Sequence, residues 1–312
     1  MSILSEPHFH CEEAAYERLE AIIWPNGPVC PHCGGTDRIT VVGGKTARPG
    51  LKRCLQCKLQ FRATVGTVFE QSKIKLHLWF QVAHLMTSSK KGISAHQVHR
   101  TLKITYKTAW FMCHRLREAM RHGHFSAPLG GSGKTVEADE TYVGGKDSNR
   151  HASKRKGIPG WSGKEAVISL VERSGAVRSH HVASVTAKNV GKIVEEQLHP
   201  KTTLYTDHSR IYRGMKPRLR PTATINHSAG EYVRGDVHTN TVEGYFSILK
   251  RGIMGVYHHV SEKHLKRYLA EFDFRYNERS ALGIDDEART TRALRGVVGK
   301  RLTYRRPSEP AA

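Results

Sequence analysis

Two Cys-x-x-Cys pairs, Cys30-Pro-His-Cys33 and Cys54-Leu-Gln-Cys57, stand twenty residues apart and restrict the local fold more than any other feature of the chain. A two-residue spacer puts both thiolates of a pair on one tight turn. Two such turns facing each other set four sulfurs at the corners of a tetrahedron, which Zn2+ accepts without strain. Gly34 and Gly35 suit a turn that aims backbone N–H groups at sulfur. One pair alone reads equally as a redox motif; two at this spacing read as a single structural Zn2+ held by Cys30, Cys33, Cys54 and Cys57, with no open position for chemistry. His32 is then a bystander. Cys11 is left over, and Cys113, near Trp110 and Leu116 on a helix, reads as a core thiol.

Charge narrows the partner. Fifty Lys and Arg against 28 Asp and Glu leave +22, far more than solubility requires, and such an excess calls for a polyanion, most economically nucleic acid. The excess is uneven: residues 30–125 hold seventeen Lys/Arg and only three acids, Asp37, Glu70 and Glu118, whereas residues 1–29 are acidic. No stretch of about 18 apolar residues exists, so no membrane partner is expected. The N-terminus has no basic-then-apolar secretory pattern, and the cysteine usage favours metal over disulfides. The bacterial cytoplasm, in association with the nucleoid, is the expected compartment.

The pattern along the chain predicts six regions. Residues 1–29 form a helical segment, with Ala15, Leu19 and Ile22 or Ile23 along one side. The zinc ribbon spans 30–62, and a helical region resembling a helix-turn-helix spans 63–124, with helices over 73–86, 94–102 and 105–121. A Gly/Ser-rich linker covers 125–134. Strands over 135–143, 165–172 and 177–185, a helix over 187–198, strands over 202–207 and 222–226, and helices over 239–251 and 261–277 make a catalytic domain at 135–285. That order implies an α/β fold with a mixed sheet. Residues 286–312 read as a basic, peripheral tail.

Ser94 and Thr105 are good N-caps for two consecutive helices around the short Lys103-Ile104 connection. Helical spacing buries Ala109, Met112, Leu116 and Met120, leaving Tyr106, Lys107, Arg115 and Arg117 to face outward, where the second helix of such a pair enters the major groove. The alternative is an ordinary helical hairpin with a solvated basic face.

Three acids stand in separate elements: Asp139 in the strand Thr135–Val143, Asp207 at the end of the strand Thr202–Asp207, and Glu243 in the helix Thr239–Arg251. Carboxylates from separate elements that meet at one sheet edge can hold two Mg2+ or Mn2+ ions, which stabilise both the attacking and the leaving oxygen of a phosphoryl substitution. On the helix, Asn240, Glu243, Ser247 and Lys250 share one face, so Lys250 points the same way as Glu243; Val242, Phe246 and Leu249 line the buried face. Alternation puts Glu137 on the strand face of Asp139 and turns Glu140 away. His208, His227, His238 and Asp236 lie close enough in sequence to be further ligands. Taken singly, each acid is more often a turn former or an exposed helix residue than a ligand.

Longer motifs carry a specific resemblance. Trp24-Pro-Asn-Gly27 with Cys30-Pro-His-Cys33, the run Val136-Glu-Ala-Asp-Glu-Thr-Tyr-Val-Gly-Gly145, and Tyr205-Thr-Asp-His208 are part of it. So are His238-Thr-Asn-Thr-Val-Glu-Gly-Tyr-Phe-Ser-Ile-Leu-Lys-Arg-Gly252 and His264-Leu-Lys-Arg-Tyr-Leu-Ala-Glu-Phe-Asp-Phe-Arg-Tyr-Asn277. Over nearly its whole length the chain resembles a bacterial insertion-sequence transposase of the IS1595 family, with its ISXO2-like domain. The resemblance implies an RNase H-like fold and assigns the family's acidic triad to Asp139, Asp207 and Glu243, with Lys250 behind them. Asn240 is the alternative third ligand. A double-stranded DNA partner is expected, both terminal inverted repeats and target DNA, contacted through Tyr106, Lys107, Arg115 and Arg117 of the helix-turn-helix-like segment and through Lys250 and Arg251. The protein would assemble as a homo-oligomer on that DNA. An endonuclease that cuts without joining, and a DNA-binding regulator that has lost catalysis, are the rival readings.

Overall fold

The computed structural model describes residues 2–121, 127–145, 151–154, 164–216 and 220–303. They fall into two compact units, residues 2–121 with 278–303, and residues 127–277.

In the first unit, α1 (Glu12–Ile23) buries Ala15, Tyr16, Leu19 and Ile22, the stripe its periodicity predicts. Three short antiparallel strands follow, β1 (Ile39–Val41), β2 (Lys52–Cys54) and β3 (Gln60–Phe61), in that order across the sheet. Helix α2 (Leu76–Ser88) is buried along most of its length, through Leu76, Trp79, Phe80, Val82, Ala83 and Met86. Ser94 and Thr105 cap α3 (Ala95–Leu102) and α4 (Tyr106–Ala119) by accepting hydrogen bonds from Gln97 N and Thr108 N. Lys103 turns the chain between them in the left-handed region, at φ +53°.

Two expectations are corrected here. Residues 286–312 do not read as a peripheral tail where they are described, because α9 (Asp286–Arg295) packs against α1, α2 and α4. The span 125–134 is not a free linker over its described part either. Leu129 is buried, donates to Gln197 O and accepts from His199 N, while Gly130 N donates to Glu172 Oε2. Residues 125 and 126 lie outside the described residues.

The second unit is built on a five-stranded mixed sheet of β4 (Thr135–Val143), β5 (Glu165–Glu172), β6 (Val177–Val182), β7 (Thr203–Asp207) and β8 (Ala223–Ile225), ordered β6-β5-β4-β7-β8. The first three strands are antiparallel; β4, β7 and β8 run parallel. One sheet face carries Val136, Ala138, Ile168, Leu170 and Leu204 against α5 (Ala187–Gln197) and α6 (Arg210–Arg213), which contribute Val190, Val194 and Tyr212. The other carries Val143, Val167, Val171 and Val177 against α7 (Asn240–Gly252) and α8 (Glu262–Asn277). Because the sheet is covered on both faces, β5 needs the near-continuous apolar run Ala166–Val171 rather than strict alternation. This unit has the mixed α/β sheet and the five strands expected.

Candidate active site

Parallel pairing of β4 with β7 sets Ala138 beside Thr206, so the next residues along, Asp139 and Asp207, stand side by side where the two strands end their pairing. Parallel partners point to the same sheet face, and that face is covered by α7. Val242, Tyr245, Phe246 and Leu249 anchor α7 to the sheet, which leaves Glu243 and Lys250 exposed on the helix's outer side, as their spacing predicts. Asp139 and Asp207 are thus neighbours, and Glu243 lies near enough for its charge to act on Asp139. Glu243 Oε1 accepts from Thr239 Oγ1 at 2.9 Å and lies 3.4 Å from His227 Nε2.

The electrostatics of the cluster are those of crowded, largely buried acids with His227 and His208 beside them. Burial, then the charge of Glu140, then those of Asp207 and Glu243, push the Asp139 carboxyl up to about 8 against the hydrogen bond it accepts from Glu140 N. Burial also raises Asp207, opposed by the Ser209 N–H and by His227 and His208. Divalent cations are the natural relief for such a set. The three side chains are more widely spaced than a closed metal cage: among the described residues, only the four cysteines form a group of three or more His, Cys, Asp or Glu ligand atoms all within 4.8 Å.

Two neighbouring acids have different tasks. Glu137, on the Asp139 face as alternation predicts, is fully buried and receives hydrogen bonds from Thr241 N, Thr241 Oγ1 and Val242 N at the start of α7. Glu140 does face the opposite side, where Tyr212 OH donates to it at 3.0 Å, yet its charge still acts on both aspartates. Of the candidate histidines, His227 meets Glu243, His238 lies 3.3 Å from Glu137 Oε1, and His208 pairs with Thr224 Oγ1.

The cysteines behave as expected. Cys30 Sγ lies 3.7 Å from Cys57 Sγ and Cys33 Sγ 3.6 Å from Cys54 Sγ. Zn–S bonds of about 2.3 Å make a tetrahedral edge of about 3.8 Å, so the spacing fits a zinc ion. Within this set of four thiols the N–H groups of Cys57 and Gln56 hold Cys54 down at about 7 against burial, whereas burial and the neighbouring thiols push Cys33 up to about 12 against the Gly35 N–H, and raise Cys57. Cys30 and Cys54 pack with Phe61, Trp24 and Ile39, so the cysteine cluster doubles as the ribbon's core.

The basic face expected on α4 is corrected. Tyr106 is exposed and stacked on His96 at 4.2 Å, and Lys107 is exposed. Arg115 and Arg117 instead are buried. Arg115 donates to Val68 O at 2.8 Å, Glu70 O at 3.1 Å and Leu302 O at 3.1 Å, with its guanidinium over the Phe111 ring. A helix covered on most of its sides turns Arg115 onto carbonyls. Lys250 and Arg251 of α7 are exposed, Arg251 bonding Ser247 Oγ. No helix among the described residues is long and apolar enough to cross a membrane.

Residues 128–277 match the ISXO2-like transposase domain, and residues 10–60 match the transposase zinc-ribbon domain of the same family. Both matches are to domains of IS1595-family transposases. It is 27% identical over 280 residues to an uncharacterised protein in transposable element ISH50 of Halobacterium salinarum, covering 86% of this chain and 91% of that one. No solved structure matches it. The ISXO2-like match coincides with the described sheet unit, and the zinc-ribbon match takes in α1 and both cysteine pairs. Sequence reasoning placed Glu137 on the right face without assigning it a task; the signal was an acid in the centre of a strand otherwise destined for burial.

Proposed function

We propose that this chain is a DNA transposase that binds the terminal inverted repeats of its own element, cleaves the element ends with divalent-metal assistance and joins the freed 3′-OH to target DNA. The observation that supports the reading is that Asp139 and Asp207 stand side by side at the end of the β4–β7 pairing, with Glu243 of α7 near enough for its charge to act on Asp139. The sheet order, three antiparallel strands followed by two parallel ones, supports an RNase H-like fold.

Asp139, Asp207 and Glu243 would hold Mg2+ or Mn2+; when bound, such ions activate a water and stabilise the leaving oxygen. The chain's own residues supply the rest. Glu243, half exposed at the start of α7, leaves room for a phosphate next to the aspartates. Lys250 and Arg251, two turns further along, offer cations to the DNA backbone. Tyr106 and Lys107, at the start of α4, are placed for a groove contact if α3 and α4 act as a helix-turn-helix. The zinc ribbon adds a second DNA-binding module, and the active form would be an oligomer assembled on paired ends.

The test uses full-length protein and an oligonucleotide duplex carrying the element's terminal repeat, with strand transfer scored on a pre-cleaved end. Asp139→Asn, Asp207→Asn and Glu243→Gln should each abolish both reactions while terminal-repeat binding survives. Cleavage without joining would identify an endonuclease instead. Full activity of Glu243→Gln with loss in Asn240→Ala would move the third ligand by one turn of α7.

A further inference from the structure

We infer that Glu137 is the positioning residue of the acidic site, pinning the start of α7, and with it Glu243, to the strand that carries Asp139. The inference rests on the proposed reading of Asp139, Asp207 and Glu243 as the metal-holding set.

The first turn of a helix presents N–H groups without partners inside the helix, and the residue before it usually caps them. Thr239 does not cap α7; its hydroxyl donates to Glu243 instead. The cap comes from β4. Glu137 Oε2 accepts from Thr241 N at 2.8 Å and Val242 N at 3.1 Å, while Oε1 accepts from Thr241 Oγ1 at 2.8 Å. Arg173, just past β5, closes the arrangement, with Nε 2.7 Å from Oε1 and Nη2 donating to His238 O at 3.1 Å. His238 Nδ1 lies 3.3 Å from the same oxygen.

A carboxylate with no solvent exposure is costly to bury, and apolar residues of similar volume would hold two elements together at less expense. What apolar packing lacks is direction. Here two backbone N–H groups, a hydroxyl and a guanidinium fix the helix start in angle and register, and the helix-end dipole favours the negative charge. Both carboxylate oxygens are occupied, so Glu137 has no lone pair aimed toward a metal. The lever is short. Glu137 precedes Asp139 by two residues on the same sheet face, and Thr241 and Val242 immediately precede Glu243. A slip of α7 along β4 would therefore alter the separation of Asp139 and Glu243 directly, and sub-ångström placement governs such sites.

Glutamine has the right shape but cannot satisfy this set. Its single oxygen can serve either the amide pair or the Arg173 and Thr241 hydroxyl pair, and its NH2 then faces donors. The experiment takes full-length, zinc-loaded protein and titrates Mn2+ without DNA, reading bound ion by electron paramagnetic resonance, alongside thermal unfolding. Glu137→Gln should weaken Mn2+ half-saturation by about tenfold or more, with terminal-repeat cleavage reduced and partly recovered at high Mn2+. Thr241→Val removes only the hydroxyl bond to Glu137 and leaves the fold unthreatened; it should weaken half-saturation by about threefold. If Glu137→Gln does not fold, the Thr241→Val titration decides: a shift supports positioning and no shift overturns it. Wild-type Mn2+ affinity in both variants overturns the inference, provided Asp139→Asn and Glu243→Gln lose the ion. If those two also bind Mn2+ normally, it is the reading of the site itself that fails.

Discussion

Arg115 gives the sharpest separation between a DNA contact and a structural cross-link. Its side chain is buried and donates to three backbone carbonyls from two distant segments, Val68 and Glu70 on one side and Leu302 on the other. Replacing it with alanine leaves three acceptors without their donor and opens space beside Phe111. Hydrogen bonds from a charged donor contribute about 1.5–3 kcal/mol each, but they are not additive and water will enter the gap. A loss of about 3–5 kcal/mol is therefore expected, in line with breaking a buried charged network. Arg115→Lys should recover little of it, because one ammonium cannot span three carbonyls held by a planar fork. Three of the four tryptophans, Trp24, Trp79 and Trp110, lie in the first unit and Trp161 in the second, so urea unfolding followed by tryptophan emission weighs mainly the relevant region. A DNA-contact role predicts the reverse pattern: unchanged unfolding, weaker binding to all duplexes and a salt slope shallower by about one. Arg115→Ala within about 0.5 kcal/mol of wild type would refute the structural account.

Four further outcomes are expected. Cys54→Ser should lose the zinc and expose Trp24, which packs on Phe61 within the cysteine cluster; elemental analysis and emission maximum check this, and a full zinc complement in the variant would oppose it. Glu140→Gln should weaken Mn2+ half-saturation severalfold although its side chain lies on the opposite strand face, because its charge acts on Asp139 and Asp207; an unchanged titration would show that charge to be screened. Lys250→Ala should slow end cleavage without changing Mn2+ binding, since Lys250 is assigned to phosphate rather than to the ion. Asp273 is pushed up to about 6 by burial, although Tyr245 OH, Ser179 Oγ and Ser179 N donate to it. Its unfolded value is about 3.9, so the folded chain binds the extra proton, and its stabilisation is complete below about pH 4 and lost as pH rises through about 6, by about 3 kcal/mol. Denaturant titrations by circular dichroism should show that slope in wild type and not in Asp273→Asn.

The strands and helices of the sheet unit were legible because each is decided by its own periodicity. The expected 135–143 and 165–172 coincide with β4 and β5, and Val242, Phe246 and Leu249 announce the buried face of α7. The failures share a cause. α4 was read as having one wet face, but it is covered on most of its sides, and an arginine donating to carbonyls is indistinguishable by pattern from one facing water. α9 escaped notice for the same reason. Its sequence Asp-Glu-Ala-Arg-Thr-Thr-Arg-Ala-Leu-Arg offers few apolar residues, and it docks partly through hydrogen bonds: Arg289 donates to Glu278 O, Thr87 O and Ile284 O, and Thr290 Oγ1 meets Thr87 Oγ1 at 2.7 Å. Polar docking carries no hydrophobic period for a sequence to display.

Glu137, Asp139 and Glu140 sit within four consecutive positions of one strand, and the sheet gives them three distinct environments. The pleat alone separates Glu140 from the other two and sends it to Tyr212. It cannot separate Glu137 from Asp139, which share a face. What separates them is how far each lies along the helix that covers that face: Glu137 lies under the first turn of α7, where two N–H groups of the helix start meet it, whereas Asp139 lies beyond, beside Asp207, and takes its backbone hydrogen bond from Glu140 N on its own strand. A carboxylate that meets N–H groups becomes a strut, and one that meets other carboxylates invites a cation. The assignment of roles along Glu-Ala-Asp-Glu is thus set by where α7 begins, which is a property of the packed molecule and not of the strand's own sequence.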